Sequence, residues 1–136
     1  MREILFRGKT DKGEWVYGFY VYYVLSPLPK QQFHRITTGK EKGYGATESY
    51  DVIPETIGQY TGLTDKNGTK VFEGDIVKYG DTINKVVFEN RNGTAYFGVV
   101  MDIAETWHFC YLTNAECMEV IGNIHDNPEL LKECEG

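Results

Sequence analysis

Between Trp15 and Leu25 the chain reads Trp-Val-Tyr-Gly-Phe-Tyr-Val-Tyr-Tyr-Val-Leu, a run with no charged residue. It is too β-branched and aromatic for a helix, and Gly18 sits inside it, so the pattern predicts a strand. On a strand, Trp15, Tyr17, Phe19, Val21, Tyr23 and Leu25 share one face, and Val16, Tyr20, Tyr22 and Val24 share the other. Both faces are apolar. A strand with one wet face alternates with polar residues, so this one is expected to be covered on both sides, by its own domain or by another subunit. Tyr20, Tyr22 and Val24 are therefore the candidate interaction surface.

The remaining pattern is one of short strands and turns. Glu3 to Lys9 precedes the turn Asp11-Lys12-Gly13, and Ser26-Pro27-Leu28-Pro29 stops the aromatic strand because proline cannot donate to a ladder. Gln32 to Thr37 is a weak strand, and Thr38 to Thr47, polar and non-periodic with Gly39, Gly43 and Gly45, reads as a mobile loop inserted at the surface. Extended structure resumes at Tyr50 to Ile53. Strands are then expected at Thr56 to Thr61, Val71 to Phe72, Ile76 to Tyr79, Ile83 to Glu89, Thr94 to Val100, Trp107 to Leu112 and Glu119 to Ile124. Their punctuation is Asp65-Lys66-Asn67-Gly68, Glu73-Gly74-Asp75, Gly80-Asp81 and Asn90-Arg91-Asn92-Gly93. This is the spacing of a small antiparallel barrel or sandwich. Residues 125–136 hold a short C-terminal helix, with Asn127 as N-cap and Pro128 at the first helical position.

Composition agrees with a single mainly-β domain. The 136 residues are 41% hydrophobic and 25% charged, and 10 Tyr, 7 Phe and 2 Trp suit a pleated surface. The net charge of −6 removes the general pull toward nucleic acid, which rests on Lys and Arg displacing counterions. Cys110, Cys117 and Cys134 have neither disulfide nor zinc-ribbon spacing and read as reduced thiols. The opening residues do not make a signal peptide and no apolar run is long enough for a membrane span, so a cytoplasmic protein with no membrane partner is expected.

Three segments together resemble the YopX family of small phage and prophage proteins: Arg2 to Arg7; Thr56-Ile57-Gly58-Gln59-Tyr60-Thr61-Gly62-Leu63-Thr64-Asp65-Lys66-Asn67-Gly68 with Val71 to Val77; and Val120-Ile121-Gly122-Asn123-Ile124 with Asn127-Pro128-Glu129-Leu130-Leu131. In order and spacing they span the chain, while Trp15 to Tyr50 fits the variable part of the family. The resemblance implies an SH3-like barrel over residues 56–124, N-terminal antiparallel strands over residues 1–55, and a bacterial host. It implies no catalytic or binding residue.

Tests for chemistry point the same way. Glu73 and Asp75 flanking Gly74 read as a side-chain-capped turn rather than a cation site. Asp102 and Glu105 lie in a loop without further ligands at metal spacing. His108 and Cys110 share a strand face, but neither a nucleophile turn nor further ligands accompany them, and Trp-His-Phe-Cys-Tyr reads as an aromatic core strand. No phosphate-binding loop occurs. No enzyme, metal or cofactor is expected. The chain is read as an accessory module that acts by binding, through contacts with another protein or with its own copies. The alternative is a module that stacks single-stranded nucleic acid on its tyrosines, with Lys30, Arg35, Lys40 and Lys42 as the basic track. An acidic DNA mimic fits the charge but not its scatter among bases.

Overall fold

The computed structural model describes residues 3–25, 31–43, 46–91, 94–103, 106–111 and 117–131, the side chains of 42, 46, 89–91, 94–96, 99–103 and 106–111 excepted. Among the described residues eleven strands follow one another: β1 (Phe6–Lys9), β2 (Trp15–Leu25), β3 (Gln31–Gly43), β4 (Ala46–Asp51), β5 (Gly58–Thr64), β6 (Lys70–Phe72), β7 (Asp75–Tyr79), β8 (Thr82–Arg91), β9 (Thr94–Ile103), β10 (Thr106–Tyr111) and β11 (Glu119–Asn123). They form two sheets, β4-β3-β2-β1-β5-β6 and β10-β9-β8-β7-β11. The chain is thus mainly β, with a 3-10 turn at Pro54–Thr56 and a helical turn at residues 129–131. The second sheet is open, ending at β10 and β11, so a closed barrel is not formed.

Two compact units divide within β5, Met1–Tyr60 and Thr61–Gly136. In the first, β2 lies between β1 and β3, and β3 between β2 and β4. Gly18 makes this pairing possible: a Cβ there would stand 2.1 Å from the Thr37 carbonyl oxygen and 3.0 Å from the Thr38 Cα, both backbone atoms. Ile36 and Val52 are buried in this unit, and Gly8 leaves room for the Val52 side chain.

Thr38 to Lys42 is not a loop but the far half of β3, paired with β4 through Thr37↔Ser49, Glu41↔Thr47 and Gly43↔Ala46 with shifts in register. Gly39 adopts φ 87°, the positive value that lets a strand bulge. A bulged, solvent-facing ribbon carries polar residues without strict alternation, so its pattern imitates a loop.

In the second unit Val71, Val77, Val86 and Met118 form the core, with Phe97 and Val120 packed against it. The Gly80-Asp81 turn falls where the sequence placed it, with Tyr79↔Thr82 closing β7–β8 over two residues; β8 and β9 pair as far as Arg91↔Thr94, and the expected turn at Asn92-Gly93 lies outside the described residues.

Candidate functional site

The aromatic strand has the alternation expected of it, but its cover is absent among the described residues. Along β2, Tyr17 (47%), Phe19 (59%), Val21 (41%), Tyr22 (49%), Val24 (43%) and Leu25 (50%) are exposed. They come from both faces, so neither face is sealed by the chain's own described elements. The register shows why. β1 accompanies β2 only as far as Gly18, opposite Phe6, and β4 accompanies β3 only from Arg35, opposite Asp51, toward Gly43. Between these limits, among the described residues, Val21–Leu25 and Gln31–Phe33 pair with each other and with no other strand, a two-stranded ribbon at whose base the His34 carbonyl accepts the Val52 N–H at 3.0 Å.

The candidate residues diverge on that ribbon. Tyr20 is half-buried near its base, with its ring 5.9 Å from Phe6 and its hydroxyl 2.6 Å from His34 Nδ1. Burial, aided by the neighbouring Tyr22, holds the Tyr20 phenol above its usual pKa. It therefore stays neutral and can donate to His34. Tyr22 pairs across the strands with His34, ring centroids 4.9 Å apart, and Val24 pairs with Gln32. Tyr22 and Val24 thus present a surface, whereas Tyr20 anchors it.

The opposite face was not singled out in the sequence reading. Tyr23 stacks on Phe33 at 5.0 Å, and the Arg35 guanidinium lies 5.4 and 5.3 Å from those two rings. Arg35 is also bound to Asp51 at 2.6 Å, and that carboxylate raises its pKa further. Nearer the base, Arg7 lies 4.8 Å from the Trp15 ring. Of the basic track, Lys30 falls outside the described residues; Arg35 is opposite Val21, on the other face from Tyr20 and Tyr22. Arg35 thus lies beside Tyr23 rather than beside Tyr20 and Tyr22.

The family motifs form joints in the second unit. Asp65 is 5% exposed and accepts three backbone N–H groups, from Asn67 (2.8 Å) and Thr69 (2.9 Å) within its own turn and from Val120 (2.9 Å) in β11. Burial by itself would raise its pKa; the N–H groups of Val120, Thr69 and Asn67, with Lys66 nearby, outweigh that and hold it below the ordinary value. Asp75 caps its turn as expected, accepting the Phe72 N–H at 2.7 Å, while the Gly74 N–H reaches the Val86 carbonyl and the Ile124 N–H reaches that of Gly74.

Asn127 differs from its expected role. Its Oδ1 does not cap the following turn but reaches back to the Asn123 N–H at 3.2 Å, and a Cβ on Gly122 would lie 2.6 Å from the same oxygen. Two ends of one motif are thereby coupled. Gly122→Ala is expected to destabilise the protein by about 2 kcal/mol, and adding Asn127→Ala, which vacates the space, to recover part of that. Thermal unfolding of the two single variants and the double variant checks this; strictly additive losses would refute the coupling.

Among the described residues no three His, Cys, Asp or Glu side chains gather as a metal site. The side chains of His108 and Cys110 lie outside the described ones; their strand β10 pairs with β9 through His108↔Met101 and Cys110↔Val99. Asp102 belongs to β9 opposite Trp107 rather than to a loop, and Glu105 is not described. Cys117 is an exposed free thiol. An open cleft of about 620 Å³ in the first unit runs between Thr10–Glu14 and Ser49–Pro54, with Asp11, Glu14 and Asp51 on its walls. No described helix is long and apolar enough to cross a membrane.

Comparison with known proteins adds a family and structural likenesses. A search of curated proteins gave no match. The crystal structure of protein EF1440 from Enterococcus faecalis is 25% identical in sequence, covers 96% of this chain and 99% of its own, and superposes with a TM-score of 0.45. The family model described as YopX protein matches residues 5–132, taking in all but the first residues of the opening motif and the whole of the two later ones. Motifs that hold joints at Asp65, Asp75 and Gly122, in a chain matched almost end to end, place this protein in the YopX family.

Proposed function

We propose that this protein is a non-enzymatic phage or prophage accessory module, working in the host cytoplasm, that acts by protein contact through the β2–β3 ribbon on a scaffold with an SH3-like second half. The observation that carries the reading is the uncharged ribbon Val21–Leu25 and Gln31–His34, exposed on both faces in a chain that is 25% charged. Monomers rarely leave large aromatic and aliphatic side chains contiguous in water unless a partner covers them. Tyrosines suit such a surface because they bury much area at small entropic cost. The family joints support the reading from the other side, since Asp65, Asp75 and Gly122 are engaged in holding the scaffold.

Single-stranded nucleic acid has weaker support. Arg35, the track residue that lies beside aromatic rings, is held by Asp51, and the net charge of −6 opposes a polyanion.

The test is capture of tagged protein co-expressed in host cells with an untagged copy, wild type against the double variant Tyr22→Ser and Val24→Ser. Both positions are exposed, so circular dichroism is expected to be unchanged. The expected result is a stoichiometric protein, a copy of this chain or a host protein, that the variant loses. The same capture by both forms, or recovery of nuclease-sensitive nucleic acid alone, refutes the reading.

A further inference from the structure

We infer that the partner of the ribbon is a second copy of this chain, joined through the free edge of β2 in an antiparallel, two-fold register centred on Tyr22. The inference rests on the proposed ribbon-binding function and specifies its occupant.

The edge is the first observation. Beyond Gly18 no described strand lies alongside β2 on the side away from β3, so the outward N–H and C=O groups of its far half meet no ladder. Natural proteins blunt such edges with lysine, proline or inward charges, because a bare edge is a template for another strand. Phe19 to Leu25 carries none of these.

The second observation is self-complementarity. Reversing Phe19-Tyr20-Val21-Tyr22-Tyr23-Val24-Leu25 about Tyr22 sets Phe19 opposite Leu25, Tyr20 opposite Val24, Val21 opposite Tyr23, and Tyr22 opposite its own copy. Every ring but the central one meets an aliphatic side chain, the kind of cross-strand pair that stabilises sheets. Two antiparallel copies of one strand meet the two-fold symmetry of a closed dimer automatically.

Charge is the third. Two copies at −6 repel each other, and the ribbon is an uncharged place where they can approach. The half-exposed side chains of β2 offer roughly 500 Å² per copy, against about 800 Å² per partner in a standard interface. The dimer is therefore expected to depend on concentration.

Sedimentation equilibrium from micromolar to millimolar protein tests it with charge pairs on the exposed face. One variant carries Phe19→Lys with Leu25→Lys, the other Phe19→Glu with Leu25→Glu. In the stated register each places like charges opposite each other, and dimerisation is expected to weaken by at least about a hundredfold. Mixing the two sets Lys against Glu at both ends, and a mixed dimer is expected to reappear, which also establishes that both variants are folded. A wild type that stays monomeric, an assembly of more than two copies, dimers that persist in both variants, or no mixed dimer each overturns the inference. If the wild type is monomeric yet captures a host protein that Tyr22→Ser with Val24→Ser loses, the ribbon reading stands and the second copy does not.

Discussion

Gly18→Ala is expected to cost at least about 4 kcal/mol, enough to abolish cooperative folding of the first unit. The new methyl would lie 2.1 Å from the Thr37 carbonyl oxygen, 2.8 Å from its carbonyl carbon and 3.0 Å from the Thr38 Cα. All three are backbone atoms of β3, so no rotamer change relieves the overlap, and β2 and β3 must separate where Phe19 pairs with Thr37. Near-ultraviolet circular dichroism and thermal melting read the loss. Gly39→Ala is the contrast: no atom lies within 4 Å and the strain is that of φ +87° alone, a cost of about 1 kcal/mol. Equal stabilities of the two variants would show that β2 and β3 do not approach this closely.

Asp65→Asn is expected to lower stability by about 3 kcal/mol and the unfolding midpoint by roughly 10 °C. The amide keeps the shape but loses the charge that strengthens three N–H bonds, and its NH₂ turns a donor toward another donor, at Val120 or at the Asn67 and Thr69 pair. The same carboxylate makes the fold acid-sensitive. Its pKa is lower folded than unfolded, so its contribution is complete above the ordinary aspartate value of 3.8 and fades as pH falls through the lower folded value. Urea unfolding of the wild type therefore shows a loss of stability on acidification below about pH 4 that Asp65→Asn lacks. Parallel acid profiles would overturn the assignment.

Much of the second unit was legible because its turns are spelled out. Gly80-Asp81 marks the hairpin of β7 and β8, and alternation does the rest. The far half of β3 was hidden because a bulged polar ribbon and a loop have the same composition. For the candidate surface, the pattern located the strand and its two apolar faces, but hydrophobicity reports what dislikes water and not what covers it. The exposure of Tyr22 and Val24 depends on where β1 and β4 stop, which no local signal encodes. Tyr20 and His34 meet across 14 residues of chain and Asp65 and Val120 across 55, distances at which only the register brings partners together. Asn127 carried the right residue type for a cap, yet the space above Gly122 drew its side chain the other way.

The ending of β1 opposite Gly18 and of β4 opposite Arg35 divides the labour along the chain. The residues that hold the second unit and those that project from the first lie in separate stretches of sequence. Exposed positions such as Phe19, Tyr22 and Val24 can change without touching the Asp65 and Gly122 joints, so the surface of the ribbon and the frame of the second unit are separable by mutation.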